Sequence, residues 1–256
     1  MVVQGRGRRA RRAGLVGVLW ATAELTVTVG VVVLLLVVHQ VWWTNRQAAA
    51  AAQEQVRSLE QSWALERAPS QEPAPGDDPP ASGVPASPPG PSATPAAPAP
   101  APVPSARPAG ASGAYAVLRI PRLGLVVPVA QGIDKRAVLD KGYAGQYPGT
   151  AGPGESGNFA LAGHRNTHGE PFRYINRLRA GDELIVDMRG RRYTYVVGQI
   201  LSETTERDTG VIAPVPRSVV KPEHGYGEPG AYITLTTCTP EYSSKYRLVV
   251  WGTLRS

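Results

Sequence analysis

A single cysteine, Cys238, occurs among 256 residues, together with only two phenylalanines, two methionines and four histidines. One cysteine excludes a disulfide framework, a thiolate zinc site and a CxxC redox pair. It leaves one thiol that is either a small buried hydrophobe, the common fate of free cysteine, or a nucleophile. Lysine is scarce as well: of 27 basic residues only Lys135, Lys141, Lys221 and Lys245 are lysines, and the net charge is +7. That excess does not point to nucleic acid. Five arginines are concentrated in Arg6-Gly-Arg-Arg-Ala-Arg-Arg12, beside an apolar run, where such a cluster acts as a membrane-topology signal. No group of acidic residues has the spacing of a calcium loop, so calcium activation is not expected.

What is present falls into blocks. Residues 1–13 are basic and are read as a cytoplasmic segment. Residues 14–43 are read as a transmembrane helix. Leu15 to Val38 is almost wholly apolar, long enough for a bilayer core that needs about 20 helical residues. Trp42 and Trp43 then stand where an interfacial aromatic belt would lie. Glu24 is the exception, expected near one face, protonated or paired. Arginines before the span and few basic residues just after it predict a single-pass protein of the cell membrane with its N-terminus inside and the rest outside. The competing reading is a cleaved signal peptide with its site among Ala48 to Ala52. The apolar run exceeds the usual length of a signal-peptide core, and the retained anchor is preferred.

Residues 44–66 are mostly strong helix formers and predict a juxtamembrane helix. Residues 67–113 hold 15 of the chain's 25 prolines, between Pro69 and Pro108. With so little to bury, this stretch is expected to be a disordered Pro/Ala-rich linker. Fully extended it reaches on the order of 100 Å, a spacer that would let the last domain work away from the membrane.

Residues 114–256 have the size of a single domain. Short β-type runs lie at 116–120, 123–129, 158–162, 183–187, 192–197, 232–237 and 246–252, with a bend at Arg189-Gly-Arg191. Helical turns are predicted within 134–139, and a short helix over 171–178 with Phe172, Ile175 and Leu178 on one face. Residues 143–157 and 203–230 read as loops. Seven or eight short strands with little helix predict a small β-barrel or sandwich.

Cys238 closes the run Tyr232-Ile-Thr-Leu-Thr-Thr-Cys238, just before Thr239-Pro240 ends the strand. A thiol there needs a base or an electropositive setting. His164, flanked by Gly163 and Arg165, stands at another strand end. If 232–238 and 246–252 pair antiparallel, Arg247 returns beside Cys238, where a guanidinium could stabilise an oxyanion. By spacing alone this set is weak: a lone histidine after a strand is more often a surface residue, and an arginine on a strand is usually solvated. His168 is read as a loop residue rather than a second base, and His224 is left unassigned.

The motifs themselves are more specific. Thr234-Leu-Thr-Thr-Cys238 resembles the TLxTC motif of sortases. Ala162-Gly-His-Arg165 resembles the segment that carries the sortase histidine, and Tyr246-Arg-Leu-Val-Val250 the strand that carries the family arginine. Tyr147-Pro-Gly-Thr150, Pro153-Gly-Glu155 and Gly181-Asp-Glu183 match as well, and the order His164, Cys238, Arg247 is similar to the family's. Cys238-Thr-Pro-Glu241 and Gly163-His-Arg-Asn-Thr-His-Gly-Glu-Pro-Phe172 are most similar to class E sortases of Gram-positive bacteria.

The resemblance implies a mainly β fold, an eight-stranded sortase-like barrel with short helices, preceded by the transmembrane helix and the Pro-rich linker. It implies a membrane-anchored cysteine transpeptidase without cofactor or metal. Such an enzyme cleaves a C-terminal LAxTG- or LPxTG-type sorting signal of secreted proteins between Thr and Gly. A thioester on Cys238 then passes the protein to a peptidoglycan-precursor or stem-peptide amine. His164 would be acid and base, Arg247 the oxyanion or substrate ligand, and Thr237 a lining residue of the substrate site. The alternatives are another cysteine acyltransferase or hydrolase, and a non-catalytic wall-facing β-domain displayed on a stalk.

Overall fold

The computed structural model describes residues 6–67 and 113–255, with side chains from Leu19 to Glu66 and again from Gly113. The expected linker therefore lies outside the described residues except at its ends. The first element is one continuous helix, α1 (Arg6–Arg67), where the sequence divides into a membrane span and a juxtamembrane helix. Its first half is apolar and uncovered: Val31 to Val38 are each about half exposed. Its threonines do not interrupt it, because their hydroxyls bond back to the previous turn, Thr26 to the Thr22 carbonyl at 2.8 Å and Thr28 to that of Glu24 at 2.8 Å. This stretch is long and apolar enough to cross a membrane.

The second half of α1 is amphipathic in a different sense. Ala52, Val56 and Trp63 recur at helical spacing and are buried. Val56 and Trp63 pack on Val117, and Ala52 packs on Ala130, Val138 and Tyr143. A bridge from Arg119 to Glu60 on one side and to Asp187 on the other, 2.9 Å, fastens the helix to the barrel. The spacer reading has the last domain carried away from the anchor; instead the barrel lies against the helix that continues from it.

The barrel is closed in the order β1-β2-β3-β4-β7-β8-β6-β5. Its strands are β1 (Ala114–Ile120), β2 (Leu125–Gln131), β3 (Ala144–Gln146), β4 (Gly157–Ala162), β5 (Glu183–Met188), β6 (Arg191–Thr205), β7 (Ala231–Thr239) and β8 (Tyr246–Leu254). The β5–β6 bend has positive φ at both Arg189, 46°, and Gly190, 78°, the backbone of a two-residue hairpin turn. The second strand starts later than its sequence suggests, because Pro121–Leu123 form a 3₁₀ turn closed by Gly124. β3 is not legible in the sequence: Ala-Gly-Gln has no β preference and becomes a strand only by pairing with β2 and β4. Gly145 is required there, since a Cβ would stand 2.5 Å from the Gly132 carbonyl. The helix expected over 171–178 is a set of turns with a 3₁₀ turn at Ile175–Arg177, although Phe172, Ile175 and Leu178 are buried together as expected.

Ile233 and Leu235 of β7 and Leu248 and Val250 of β8 point into the barrel core. Alternation therefore sends Thr234, Thr236 and Cys238 to the outer face. There Val249 and Trp251 pack on Leu201 and Val211, with Trp251 Nε1 donating to the Val211 carbonyl at 3.0 Å. The segment between β6 and β7 is tied down by Asp208, 3 % exposed. Its carboxylate accepts from Thr204 Oγ1 at 2.6 Å, Ser218 Oγ at 2.5 Å and the Val219 amide at 2.8 Å. Asp208→Ala leaves those donors without an acceptor and is expected to cost about 2–3 kcal/mol. Urea unfolding of the full chain in detergent micelles reads this, and an unchanged midpoint would remove Asp208 as the fastener of that segment.

Candidate active site

β7 and β8 run antiparallel, and Cys238 lies directly opposite Arg247. Directly opposed residues share a face with Cβ atoms about 5 Å apart, so the guanidinium stem rises beside the thiol. Cys238 is partly exposed, one residue before the strand ends at Thr239. Arg247 is anchored by its own turn: Nη1 donates to the Ser244 carbonyl at 2.7 Å and the Tyr246 carbonyl at 3.1 Å, while Nη2 reaches Glu206 Oε2 at 3.4 Å.

β4 runs parallel to β7 on its other side, with Ala162 opposite Thr236. The Gly163 amide donates to the Thr236 carbonyl at 3.1 Å, and Thr237 Oγ1 donates to the Gly163 carbonyl at 2.8 Å. His164 therefore leaves β4 level with Cys238. Thr237 is 3 % exposed; its hydroxyl is spent on joining the histidine strand to the cysteine strand. Gly163 is needed because a Cβ there would lie 2.6 Å from the Phe172 ring. The Phe172 amide donates to the His164 carbonyl at 3.0 Å and closes the intervening loop.

Two further residues enter the site that sequence reasoning does not single out. Asp140 Oδ1 lies 2.8 Å from His164 Nε2. The carboxylate accepts the Nε2 proton, which leaves the lone pair of the neutral imidazole on Nδ1. Burial pushes the His164 pKa below its usual value, against the upward pull of Asp140. Arg165 Nη1 donates to the Cys238 carbonyl at 3.1 Å and to Thr239 Oγ1 at 2.7 Å, fixing the backbone that carries the thiol. Arg165 belongs to the Ala162-Gly-His-Arg165 motif, but no local motif announces Asp140, which sits in the 3₁₀ turn Leu139–Lys141, 24 residues before its partner. His168 returns next to His164, ring centroids 5.2 Å apart. His224 Nε2 lies 3.9 Å from the carboxylate of its neighbour Glu223.

Helix α1 reaches the same region. Asn45 Nδ2 donates to Glu170 Oε1 at 2.7 Å. The helix backbone at Ala48 and Ala49 comes so close to Gly142 and Gly169 that a Cβ on either glycine would stand 3.1 Å from it. The turn carrying Asp140 and the loop following His164 are thus both braced by α1.

A sortase-domain family model matches residues 118–255. Sortase SrtE1 of Streptomyces coelicolor is 50% identical over 143 residues, which span 54% of this chain and 39% of that relative. SrtE2 of the same organism is 38% identical over 122 residues, 46% of each chain. The chain thus spans less than half the length of these two relatives. Among solved structures, sortase E1 from Streptomyces coelicolor with a tripeptide in its active site superposes with a TM-score of 0.53 at 47% identity. That match covers 57% of this chain and 90% of the other. Sortase E from Streptomyces avermitilis gives 0.50 at 43% identity, covering 57% and 90%.

Proposed function

The chain belongs to the sortase family, and from that premise we propose that it is a membrane-anchored cysteine transpeptidase acting on a C-terminal LAxTG- or LPxTG-type sorting signal. The observation that carries this reading is the pairing of Cys238 with Arg247 across β7 and β8, with His164 leaving the adjacent parallel strand at the same level. Residues 14–43 act as the anchor with 1–13 on the cytoplasmic side, 44–66 as the juxtamembrane helix, 67–113 as the linker and 114–256 as the catalytic domain outside the cell.

The bound signal lies on the outer barrel face with its Thr–Gly bond at Cys238. Burial lowers the His164 pKa and so favours the neutral imidazole. As sulfur attacks the threonine carbonyl carbon, the thiol proton passes to Nδ1, and the carbonyl oxygen takes negative charge beside Arg247. The imidazolium returns that proton to the glycine nitrogen as the C–N bond breaks, leaving a thioester on Cys238. An incoming amine from a peptidoglycan precursor or stem peptide then attacks the thioester. It gives its proton to His164, and the thiol is restored with the secreted protein now in amide linkage.

Asp140 acts through His164 as a positioning residue. Asp140→Asn is expected to lower kcat about tenfold or more with KM little changed, as removal of a partner that orients a reactive imidazole does. Asp140→Glu should recover part of the loss. A raised KM with unchanged kcat would assign Asp140 to substrate binding instead. The reading as a whole is tested by incubating the chain with quenched LAxTG and LPxTG peptides and mapping the products by mass spectrometry. Cleavage between Thr and Gly supports it. Cleavage elsewhere favours another cysteine hydrolase, and none while Cys238 also resists alkylation favours the displayed β-domain.

A further inference from the structure

Asp140, His164 and His168 come from a turn, a strand end and a loop, yet their ligating atoms lie within 4.8 Å of one another. Asp140 Oδ1 is 2.8 Å from His164 Nε2 and 3.5 Å from His168 Nδ1. The first is a hydrogen bond. The second is not, and His168 Nδ1 is buried with no hydrogen-bond partner. The backbone holds that ring in place: His168 has φ 53°, and Gly169 and Glu170 follow at 82° and 51°. Left-handed backbone at a non-glycine residue is uncommon, and here it coils the loop back so that His168 meets His164. The two histidines are four residues apart in sequence, but nothing in the spacing brings in Asp140, which joins them only when the barrel closes.

We propose that these three side chains bind a borderline divalent transition-metal cation, of which Zn²⁺ is the type, and that its binding switches off His164. The ligands are His164 Nε2, His168 Nδ1 and a carboxylate oxygen of Asp140. Two imidazoles and a carboxylate form a set that zinc takes when it keeps a fourth, open position. Tetrahedral bonds of about 2.1 Å put neighbouring ligand atoms about 3.4 Å apart; the two separations from Asp140, 2.8 and 3.5 Å, bracket that value, and the two imidazole nitrogens lie within 4.8 Å of each other, so side-chain rotation closes the set. Calcium and magnesium do not fit, since both want six or more oxygens.

The effect on chemistry follows from the tautomer. Without metal, Nε2 donates to Asp140 and Nδ1 carries the lone pair. With the cation on Nε2, the single ring proton resides on Nδ1, which can then no longer accept one. The cation withdraws the base from Cys238 without touching the thiol. This consequence rests on the transpeptidase reading; the binding does not.

The test uses the full chain in detergent micelles, titrated with ZnCl₂ by calorimetry and assayed in parallel for peptide cleavage. The wild type is expected to bind one Zn²⁺ and to lose cleavage over the same concentration range, with recovery on adding a chelator. His168→Asn keeps a residue that tolerates the left-handed backbone but has no imidazole. It should weaken both affinity and inhibition, relative to its own metal-free rate, about tenfold or more. Cys238→Ala should bind as the wild type does. No binding by the wild type, or equal binding by His168→Asn, overturns the site. Loss of binding in Cys238→Ala also overturns it, by moving the cation to the Cys238–His164 pair. Binding with cleavage unaffected overturns the switch. A chain that binds zinc as expected but cleaves no peptide without it counts against the transpeptidase reading alone.

Discussion

Cys238→Ala is expected to reduce transpeptidation to background, a loss on the order of 10⁶, while leaving the barrel folded. No other thiol exists in the chain to substitute for it, and alanine offers no atom that can form a thioester. The fold is indifferent to the change because Cys238 lies at the end of β7 on the outer face, partly exposed, rather than among Ile233 and Leu235 in the core. Circular dichroism and the thermal midpoint check the second half of the expectation, and product mass spectrometry the first. Residual turnover above background in a folded Cys238→Ala protein would end the covalent account.

Arg247→Lys is expected to lower kcat/KM by about 10²–10³, the scale of removing one oxyanion-stabilising donor. The substitution keeps the charge, so a purely electrostatic role would survive it. What it removes is the planar fork. One guanidinium nitrogen is occupied by the Ser244 and Tyr246 carbonyls, and the other, Nη2, rests 3.4 Å from the exposed Glu206 carboxylate, which the reacting oxygen replaces. An ammonium engaged by the same carbonyls has no second nitrogen to offer the reacting oxygen. Steady-state kinetics with the better cleaved peptide decide this. A loss confined to KM would make Arg247 a ligand of the substrate's resting state, and unchanged kinetics would remove it from the site.

The parts of this molecule that were legible in its sequence are those written in local pattern. The apolar run, the arginine cluster before it and the β-branched strands around Cys238 predict a helix and a β-rich domain without further help. The Cys238–Arg247 pairing was also within reach, since it follows from two adjacent strands and a short turn. What is not legible there depends on contacts distant in sequence. β3 is a strand only because β2 and β4 flank it. Residues 171–178 have a helical face, but Phe172 is drawn over Gly163 and the segment settles into turns. Asp140 reaches His164 through barrel closure, and the docking of α1 on β1 and β2 joins two regions separated by the whole Pro/Ala-rich stretch. The same long-range contacts explain why the barrel lies against α1 although composition alone favours a domain held on a spacer.

The most direct test of the central claim is the mass of the full chain after incubation with an LAxTG peptide in the absence of any amine. The account predicts an adduct equal to the peptide up to its threonine, located on the proteolytic fragment that contains Cys238 and released when an amine is added, with the amide product appearing in step. Peptide cleavage without such an adduct, or an adduct on any other residue, would contradict it.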